Sequence, residues 1–326
     1  MKSINRQFDK RAAFTIVELL TVMSIIVILI TLLVPSLNMA KRYAKNVRQR
    51  AQFHSIGMAL DSFSADWDGY PNSDRYDEVP VAYCGAMKLA EAMLGQDLLG
   101  FHPSSRFRSD GLDRTGGTQL YPPAPSPVTQ PYMENLKSRK GPYLPLENAN
   151  AYKLKYLYKT NIGNFNGERF VLCDIYGRVS LSNPTAGEPQ IGGKAGMPIL
   201  YYKANVSGTT HPVKNNTGVD NSATVPSPTT DPDPTLFYNH LNNDDLVLLD
   251  MPWDTSGAAH PMASAGNDLR SIAATPYNFY NRIWASKVFN TVTNIYRPYR
   301  SDSYILLSAG FDGEYGTPDD IFNFGE

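Results

Sequence analysis

The sequence feature that most limits what this chain can fold into is an apolar run near its start. Residues 19–40 carry no charged side chain, and residues 19–34 are apolar except for Thr21, Ser24 and Thr31. At about 1.5 Å of rise per residue, a helix of about 20 residues spans the hydrocarbon core of a bilayer. The run therefore predicts one membrane-spanning helix, and the sequence has no further run that would make a multi-span protein.

A secretory signal peptide is the alternative interpretation, because it also places a basic leader before an apolar segment. Such a peptide has an apolar core of about 7–15 residues, followed by a cleavage site with small residues. Here the run is longer, and Lys41 and Arg42 stand where the cleavage site would be. These differences favour a helix that is retained in the membrane.

The charge of the chain changes just after this segment. Residues 1–60 hold nine basic and two acidic side chains, a net charge of +7, and the remaining residues carry a net charge of −8. Since 42% of the 326 residues are hydrophobic, with 20 Tyr and 14 Phe, a chain disordered throughout is excluded. The total of −1 gives no indication of nucleic-acid binding. A basic arm therefore precedes an acidic globular domain.

Glu18 is the residue that a plain membrane anchor does not explain. It stands at the start of the apolar run, and no basic residue follows within one helical turn. A carboxylate at membrane depth costs about 2–3 kcal/mol and usually has a partner. The alternatives are a specific partner for Glu18 or a side chain that reaches the lipid headgroups at the helix end.

The residues around Glu18 read AFTIVELL over positions 13–20. This run, after a short basic leader, resembles the processing site of type IV pilins and type II secretion pseudopilins. The resemblance implies that a prepilin peptidase cleaves between Ala13 and Phe14 and methylates the new N-terminus. Ala13 stands where the family usually has Gly. The resemblance also implies that Glu18 pairs with the amine of a neighbouring subunit, and that Pro35 kinks the helix.

After Pro35 the pattern changes from uniformly apolar to amphipathic, which predicts a helix that continues to about Asp66. One face of this extension carries apolar residues at a spacing of three or four, namely Leu37, Ala40, Ala44, Val47, Ala51, Met58, Leu60, Phe63 and Trp67. The opposite face carries Lys41, Arg42, Lys45, Arg48 and Gln49. Because the basic residues adjoin the apolar run, they are expected to contact phospholipid headgroups and other subunits.

The predicted fold class is α+β, with a long N-terminal helix packed on a small antiparallel sheet that carries long loop insertions. The predicted parts are a leader (1–13), a transmembrane helix (14–40), its amphipathic extension (41–67) and a globular domain (68–326) with insertions near 100–150 and 179–240. Residues 84–98 are predicted to be a short helix. Strands are predicted at 152–158, 245–249 and 303–308, and residues 171–178 and 197–204 resemble a hairpin of the pseudopilin domain.

The C-terminal loop is the candidate metal site. Residues 308–321 read SAGFDGEYGTPDDI, a run with several carboxylates and with glycines that permit tight turns. Calcium prefers such oxygen ligands, although an Asp/Gly turn joining two strands would use the same residues. The loop resembles the calcium loop of the major pseudopilin, which implies Asp312 and Asp319 as ligands, Asp320 as a further candidate and backbone carbonyls near Ala309.

Cys84 and Cys173 are the only cysteines, and the sequence permits either a disulfide in an exported domain or two separate buried thiols. The five histidines show no metal-binding spacing. The sequence also lacks the usual nucleophile, nucleotide and zinc-protease motifs, so we do not expect an enzyme. The carboxylate pair Asp244-Asp245 is interpreted as part of a solvated loop.

The resemblance implies a structural role as a filament subunit of a type II secretion pseudopilus or a related pilus-like fibre. The implied partners are the prepilin peptidase, other pilin or pseudopilin subunits and the secretion assembly platform of the inner membrane, with no nucleic acid. The implied location is the bacterial inner membrane, with a cytoplasmic N-terminus and a periplasmic domain, and later the filament. The alternative is a membrane-anchored exported enzyme or ligand-binding protein with a pilin-type leader.

Overall fold

The structure is a computed structural model. It describes residues 15–75, 81–159, 161–185, 187, 189, 191–209, 211, 235–249, 251–253, 260–262, 279–283, 285 and 297–325. Contacts divide the chain into two compact units, Met1–Lys45 and Asn46–Glu326. We call the second one the main unit. The predicted leader, residues 1–13, lies outside the described residues.

Helix α1 (Ile16–Trp67) is the longest element and contributes to both units. It confirms the predicted helix to within one residue at its C-terminal end, and Pro35 lies inside it. It is long and apolar enough near the N-terminus to cross a membrane, as a retained span or as a signal sequence. The chain is therefore a mixed α+β protein with a long apolar N-terminal helix and small antiparallel sheets.

The main unit alternates short helices and short strands in the described part of the chain. The helices after α1 are α2 (Gly85–Leu94), α3 (Gln130–Ser138), α4 (Leu146–Ala149), α5 (Leu154–Tyr158), α6 (Asp244–Val247) and α7 (Phe279–Ile283). The strands are β1 (Ala151–Lys153), β2 (Phe170–Leu172), β3 (Val179–Ser180), β4 (Lys194–Ala195), β5 (Leu200–Lys203), β6 (Tyr304–Ser308) and β7 (Ile321–Phe322). They form three antiparallel sheets, ordered β1-β2, β3-β4 and β5-β6-β7.

The sheet β5-β6-β7 separates two apolar clusters. Successive side chains of a strand point to opposite faces, so Leu200 and Tyr202 of β5 enter one cluster and Tyr201 enters the other. Strand β6 alternates in the same way and is buried along its whole length. Helix α2 packs beside β5 and is buried at all ten positions. This sheet is therefore covered on both faces.

The end of α1 completes the second cluster. Its buried face consists of Gln49, Gln52, Phe53, Ile56, Ala59, Leu60 and Phe63. The predicted stripe was wrong at Val47, Ala51 and Met58, which are exposed. Gln49, predicted on the opposite face, is fully buried because its Oε1 accepts a hydrogen bond of 3.1 Å from the backbone of Ile175.

Residues 100–150 were predicted to be a surface insertion. In the structure, this segment also packs against the C-terminal end of α1. Phe101 and Tyr143 lie 5.1 and 5.6 Å from the Phe63 ring, both edge to face. The indole of Trp67 donates a 2.8 Å hydrogen bond to Tyr143. The hydroxyl of Tyr143 in turn donates to Asp66 over 2.8 Å. The segment therefore contributes to the core as well as to the surface.

Several predicted elements differ from the structure. Residues 245–249, predicted as a strand, begin in helix α6, and residues 154–158 form helix α5 in place of a continued strand. The predicted hairpin of 171–178 and 197–204 is confirmed in part. The two segments pair antiparallel at the bridge between Cys173 and Pro198, where Ile199 N–H donates to the Leu172 carbonyl over 2.7 Å and Asp174 N–H donates to that of Met197 over 2.8 Å. The longer ladders of β2 and β5 are formed with β1 and β6 instead. The helix predicted at 84–98 is present but ends at Leu94, before Gly95, and the strand predicted at 303–308 is confirmed.

We expect Phe63→Ala to destabilise the main unit by about 3–5 kcal/mol, because it removes a buried ring from a close-packed cluster. Met58→Ala is the matched control on the same helix, because Met58 is 53% exposed. Urea unfolding of the full chain in detergent, followed by tryptophan fluorescence, measures both changes. Equal stability of the two variants would contradict the packing described for α1.

Candidate functional site

The first candidate site is the start of α1, where Thr15 and Glu18 form reciprocal hydrogen bonds. The backbone N–H of Glu18 donates to Thr15 Oγ1 over 3.2 Å, and the backbone N–H of Thr15 donates to Glu18 Oε2 over 2.9 Å. The Thr15 hydroxyl also donates to Glu18 Oε2 over 2.8 Å. This arrangement is a capping box, which satisfies N–H groups that a helix start leaves without partners. In the single chain the partner of Glu18 is thus Thr15.

The capping box was missed in the sequence analysis, although its signal is present. The pattern is Thr or Ser followed three residues later by Glu, just before an apolar run. The Thr15–Glu18 spacing fits it. Residues 13 and 14, the predicted cleavage and methylation site, lie outside the described residues. Pro35, the predicted kink, lies within α1.

None of the residues that the structure describes covers the apolar part of α1. Every large apolar side chain from Ile16 to Val34 is exposed, with exposed fractions from 47% at Ile26 to 78% at Ile16. Exposed apolar patches on monomeric soluble proteins rarely exceed a few hundred Å². This segment therefore requires lipid or other apolar helices around it.

The second candidate site is the loop between β6 and β7, which begins at the buried residue Ala309. Gly310 has φ +69°, and a Cβ there would lie 2.2 Å from the carbonyl oxygen of Asp319. The loop therefore closes on itself at a position that only glycine fits. The backbone N–H of Asp312 donates to Asp319 Oδ2 over 3.0 Å, and that of Glu314 donates to Asp312 Oδ1 over 2.8 Å.

Asp312 and Asp319 have carboxylates close enough to affect each other. Burial raises the pKa of Asp312 to about 6, and the neighbouring Asp319 side chain adds to this increase. Burial also acts to raise the pKa of Asp319, but hydrogen bonds from the Thr317 hydroxyl and from the Asp312 side chain outweigh it and lower that pKa. Two neighbouring carboxylates create a position that favours positive charge.

Asp320 has different partners from the other two aspartates. Its Oδ2 accepts a 2.9 Å hydrogen bond from the backbone N–H of Gly316 and lies 3.7 Å from Arg282 Nη1. Burial raises its pKa well above the usual value. Within the described ranges, no three His, Cys, Asp or Glu residues form a group that could hold a metal ion. The predicted calcium ligands Asp312 and Asp319 are thus neighbours, whereas Asp320 has other partners.

Cys84 and Cys173 are buried free thiols in the same apolar cluster. Burial raises the pKa of Cys84 to about 12 and that of Cys173 well above its usual value. Because the thiolate is the reactive form in disulfide exchange, these thiols are poorly reactive in the folded chain.

Asp244, predicted to lie in a solvated loop, is 8% exposed at the start of α6. Its Oδ2 lies 3.6 Å from His240 Nε2, and His240 Nδ1 lies 2.9 Å from the Tyr280 hydroxyl. No sequence motif marked this group, because Tyr280 comes from a different segment than His240 and Asp244, which are four residues apart. The group lies in the interior, and none of its members lines the cavities of about 240 to 390 Å³ at the surface of the described residues.

We expect Asp312→Asn to change how stability depends on pH in the absence of calcium. Since the pKa of Asp312 rises from 3.8 to about 6 on folding, its protonated form stabilises the folded chain below pH 4. This contribution is lost as the pH rises through 6. The asparagine of the variant cannot ionise, so the variant keeps this stability at high pH. It therefore melts at a higher temperature than the wild type at pH 7. Thermal melts from pH 4 to 7 test this, with the exposed Asp302→Asn as control, and identical profiles for Asp312→Asn and wild type would contradict it.

Comparisons with known proteins add no family to these observations. No protein-family model, no curated protein and no solved structure matches the chain. The resemblance to pilins and pseudopilins thus depends on short segments of the sequence, namely residues 13–20, Pro35, residues 171–178 with 197–204, and residues 308–321.

Proposed function

We propose that this chain is a filament subunit, made as a prepilin and assembled into a type II secretion pseudopilus or a related pilus-like fibre. The observation that carries the proposal is the bare apolar segment of α1, which begins with one carboxylate at Glu18. A membrane covers such a segment before assembly, and the helices of neighbouring subunits cover it afterwards. Both environments replace water around the same side chains.

The capping box explains how Glu18 is stabilised before assembly. Its carboxylate is held by neutral donors of Thr15 within its own helix. After cleavage before Phe14, a neighbouring chain would offer a positively charged amine. A carboxylate and a positively charged amine attract each other more strongly in an apolar setting than in water, because the dielectric constant there is lower. Assembly would then exchange a local neutral partner for a charged one on another subunit, which fixes the axial position of the chain.

The remaining parts of the chain have roles that follow from this proposal. The helix is a single pass of the bacterial inner membrane with its N-terminus in the cytoplasm, where the prepilin peptidase acts. The acidic main unit is exported to the periplasm and lies on the outer surface of the filament. Head-to-tail contacts that do not close produce a helical polymer. The assembly platform of the inner membrane supplies the work of extraction, and we propose no enzymatic activity for the chain itself.

Two variants of the capping box separate capping from pairing. Glu18→Gln keeps a capping side chain and removes the charge, since Gln also serves at this position. Thr15→Val removes the hydroxyl and keeps the charge. We expect Glu18→Gln to be processed and yet to be lost from the filament fraction, and Thr15→Val to assemble. The measurement is the amount of chain in sheared, sedimented filaments, compared with leader removal judged by mass.

The opposite pattern would contradict the proposal. If Glu18→Gln assembles like the wild type while Thr15→Val does not, then Glu18 acts only as a helix cap. If neither variant changes the function of the chain, a membrane-anchored exported enzyme or binding protein would account for the sequence better.

We also propose that the loop between β6 and β7 binds calcium. Asp312 and Asp319 are close together, and the pKa of Asp312 is raised in part by its neighbour. A divalent cation at this position would offset the repulsion between the two carboxylates. Asp312 and Asp319 would hold it together with backbone oxygens near Ala309, and the bound ion would hold the loop closed.

Calcium should raise the melting temperature of the full chain at pH 7 relative to a chelator, because a ligand that binds only the folded state stabilises it. At 100 times its Kd the gain is about 2.7 kcal/mol. Asp319→Asn should lose most of this gain, and Asp302→Asn should keep it. Equal melting in calcium and in chelator would remove the calcium proposal and leave the filament proposal unaffected.

A further inference from the structure

A surface cavity of the main unit, separate from both candidate sites, combines aromatic walls with positive charge. It has a volume of about 290 Å³ and lies between the C-terminal half of α1 and the segments around Tyr70, Tyr304 and Asn323. Neither the apolar segment of α1 nor the loop between β6 and β7 lines it.

The cavity has an aromatic side because α1 carries a glycine there. A Cβ at Gly57 would lie 3.1 Å from the hydroxyl of Tyr304, so the glycine lets this ring approach the helix closely. Glycine in the interior of a helix is destabilising relative to alanine, so this close approach of the ring lowers the stability of α1. The rings of Tyr304 and Tyr70 meet edge to face with centroids 4.8 Å apart, and Phe53 also lines the cavity.

Two exposed arginines, Arg50 and Arg300, supply positive charge to the cavity, and His54 adds a ring that can form hydrogen bonds. Arg50 donates one hydrogen bond of 3.1 Å to the carbonyl of Gly325, and a guanidinium has five N–H donors in all. The guanidinium of Arg300 lies 5.8 Å from the centre of the Tyr304 ring. In the described part of the chain, neither arginine forms a salt bridge. His54 completes this side of the cavity.

One carboxylate opposes this charge. Asp61 lines the same cavity, and its Oδ1 accepts a 3.0 Å hydrogen bond from the Tyr70 hydroxyl. The cavity thus offers two fixed positive charges against one negative charge. Planar guanidinium groups bind carboxylates and phosphates with two parallel hydrogen bonds, and aromatic side chains pack edge to face or offset on other rings.

We propose that this cavity is a binding site for a small aromatic anion, a ring that carries a carboxylate or a phosphate. The oxyanion contacts Arg50 and Arg300, and the ring packs against Tyr304 and Tyr70. A volume of about 290 Å³ is at the small end of ligand sites, which restricts the ligand to about one ring and its acidic group. The site is independent of the filament proposal, because it uses only residues of the main unit.

Calorimetric titration of the full chain in a nonionic detergent tests the site, with phenyl phosphate and benzoate as probes and benzyl alcohol as the uncharged control. We expect both anions to bind and the alcohol not to bind. Arg50→Gln and Arg300→Gln should each weaken binding about tenfold, as expected for the loss of a charge-assisted hydrogen bond. Tighter binding of phenyl phosphate than of benzoate would identify the phosphate as the preferred group, and the reverse order the carboxylate.

Two further variants make the result specific. Arg106→Gln removes an exposed arginine that does not line the cavity, and it should leave binding unchanged. Asp61→Asn removes the opposing carboxylate and should tighten binding, which a damaged fold would not do. The proposal is overturned if the wild type binds neither anion, if Arg106→Gln weakens binding as much as Arg50→Gln does, or if Asp61→Asn leaves the affinity unchanged or lower.

Discussion

The main unit depends on the burial of one face of α1. Its sheets have strands of two to five residues, which are too short to be stable without a packed cover. Phe53, Ile56, Leu60 and Phe63 supply that cover on one side of the sheet β5-β6-β7. Gln49 and Gln52 add hydrogen bonds to the backbone of Ile175 and Cys173, which fix the position of the helix along the sheet. The same helix therefore provides part of the core of the main unit and the apolar segment of the other unit.

The apolar segment of α1 creates the opposite constraint, because no other part of the described chain covers it. Residues that are 47% to 78% exposed between Ile16 and Val34 must be shielded by lipid or by other helices. A carboxylate in such a segment must keep hydrogen-bond partners in both settings. The capping box shows that Glu18 has local partners before any assembly. The filament proposal thus requires a change of partner at Glu18 and no change in the helix itself.

The sequence was informative where a long pattern or a short-range motif decided the structure. The length of α1, the helix α2 and the strand β6 were predicted, and the Thr15–Glu18 cap was readable although it was overlooked. The buried face of α1 was only partly predicted, because glutamines that bond to a distant backbone do not appear in a hydrophobic pattern. Residues 245–249 were misassigned because a short apolar run fits a strand and a buried helix equally well. The contact of Tyr280 with His240, and the cavity beside Gly57, depend on distant segments that no local pattern encodes.

The most direct test of the central claim is the mass of the mature chain's N-terminal peptide, measured on protein recovered from membranes of cells that make it. The filament account predicts a chain that begins at Phe14 and carries one added methyl group on its amine. A chain that still begins at Met1, or one that begins after the apolar segment of α1, would contradict the account. The first result would indicate a plain membrane anchor, and the second a secretory signal peptide.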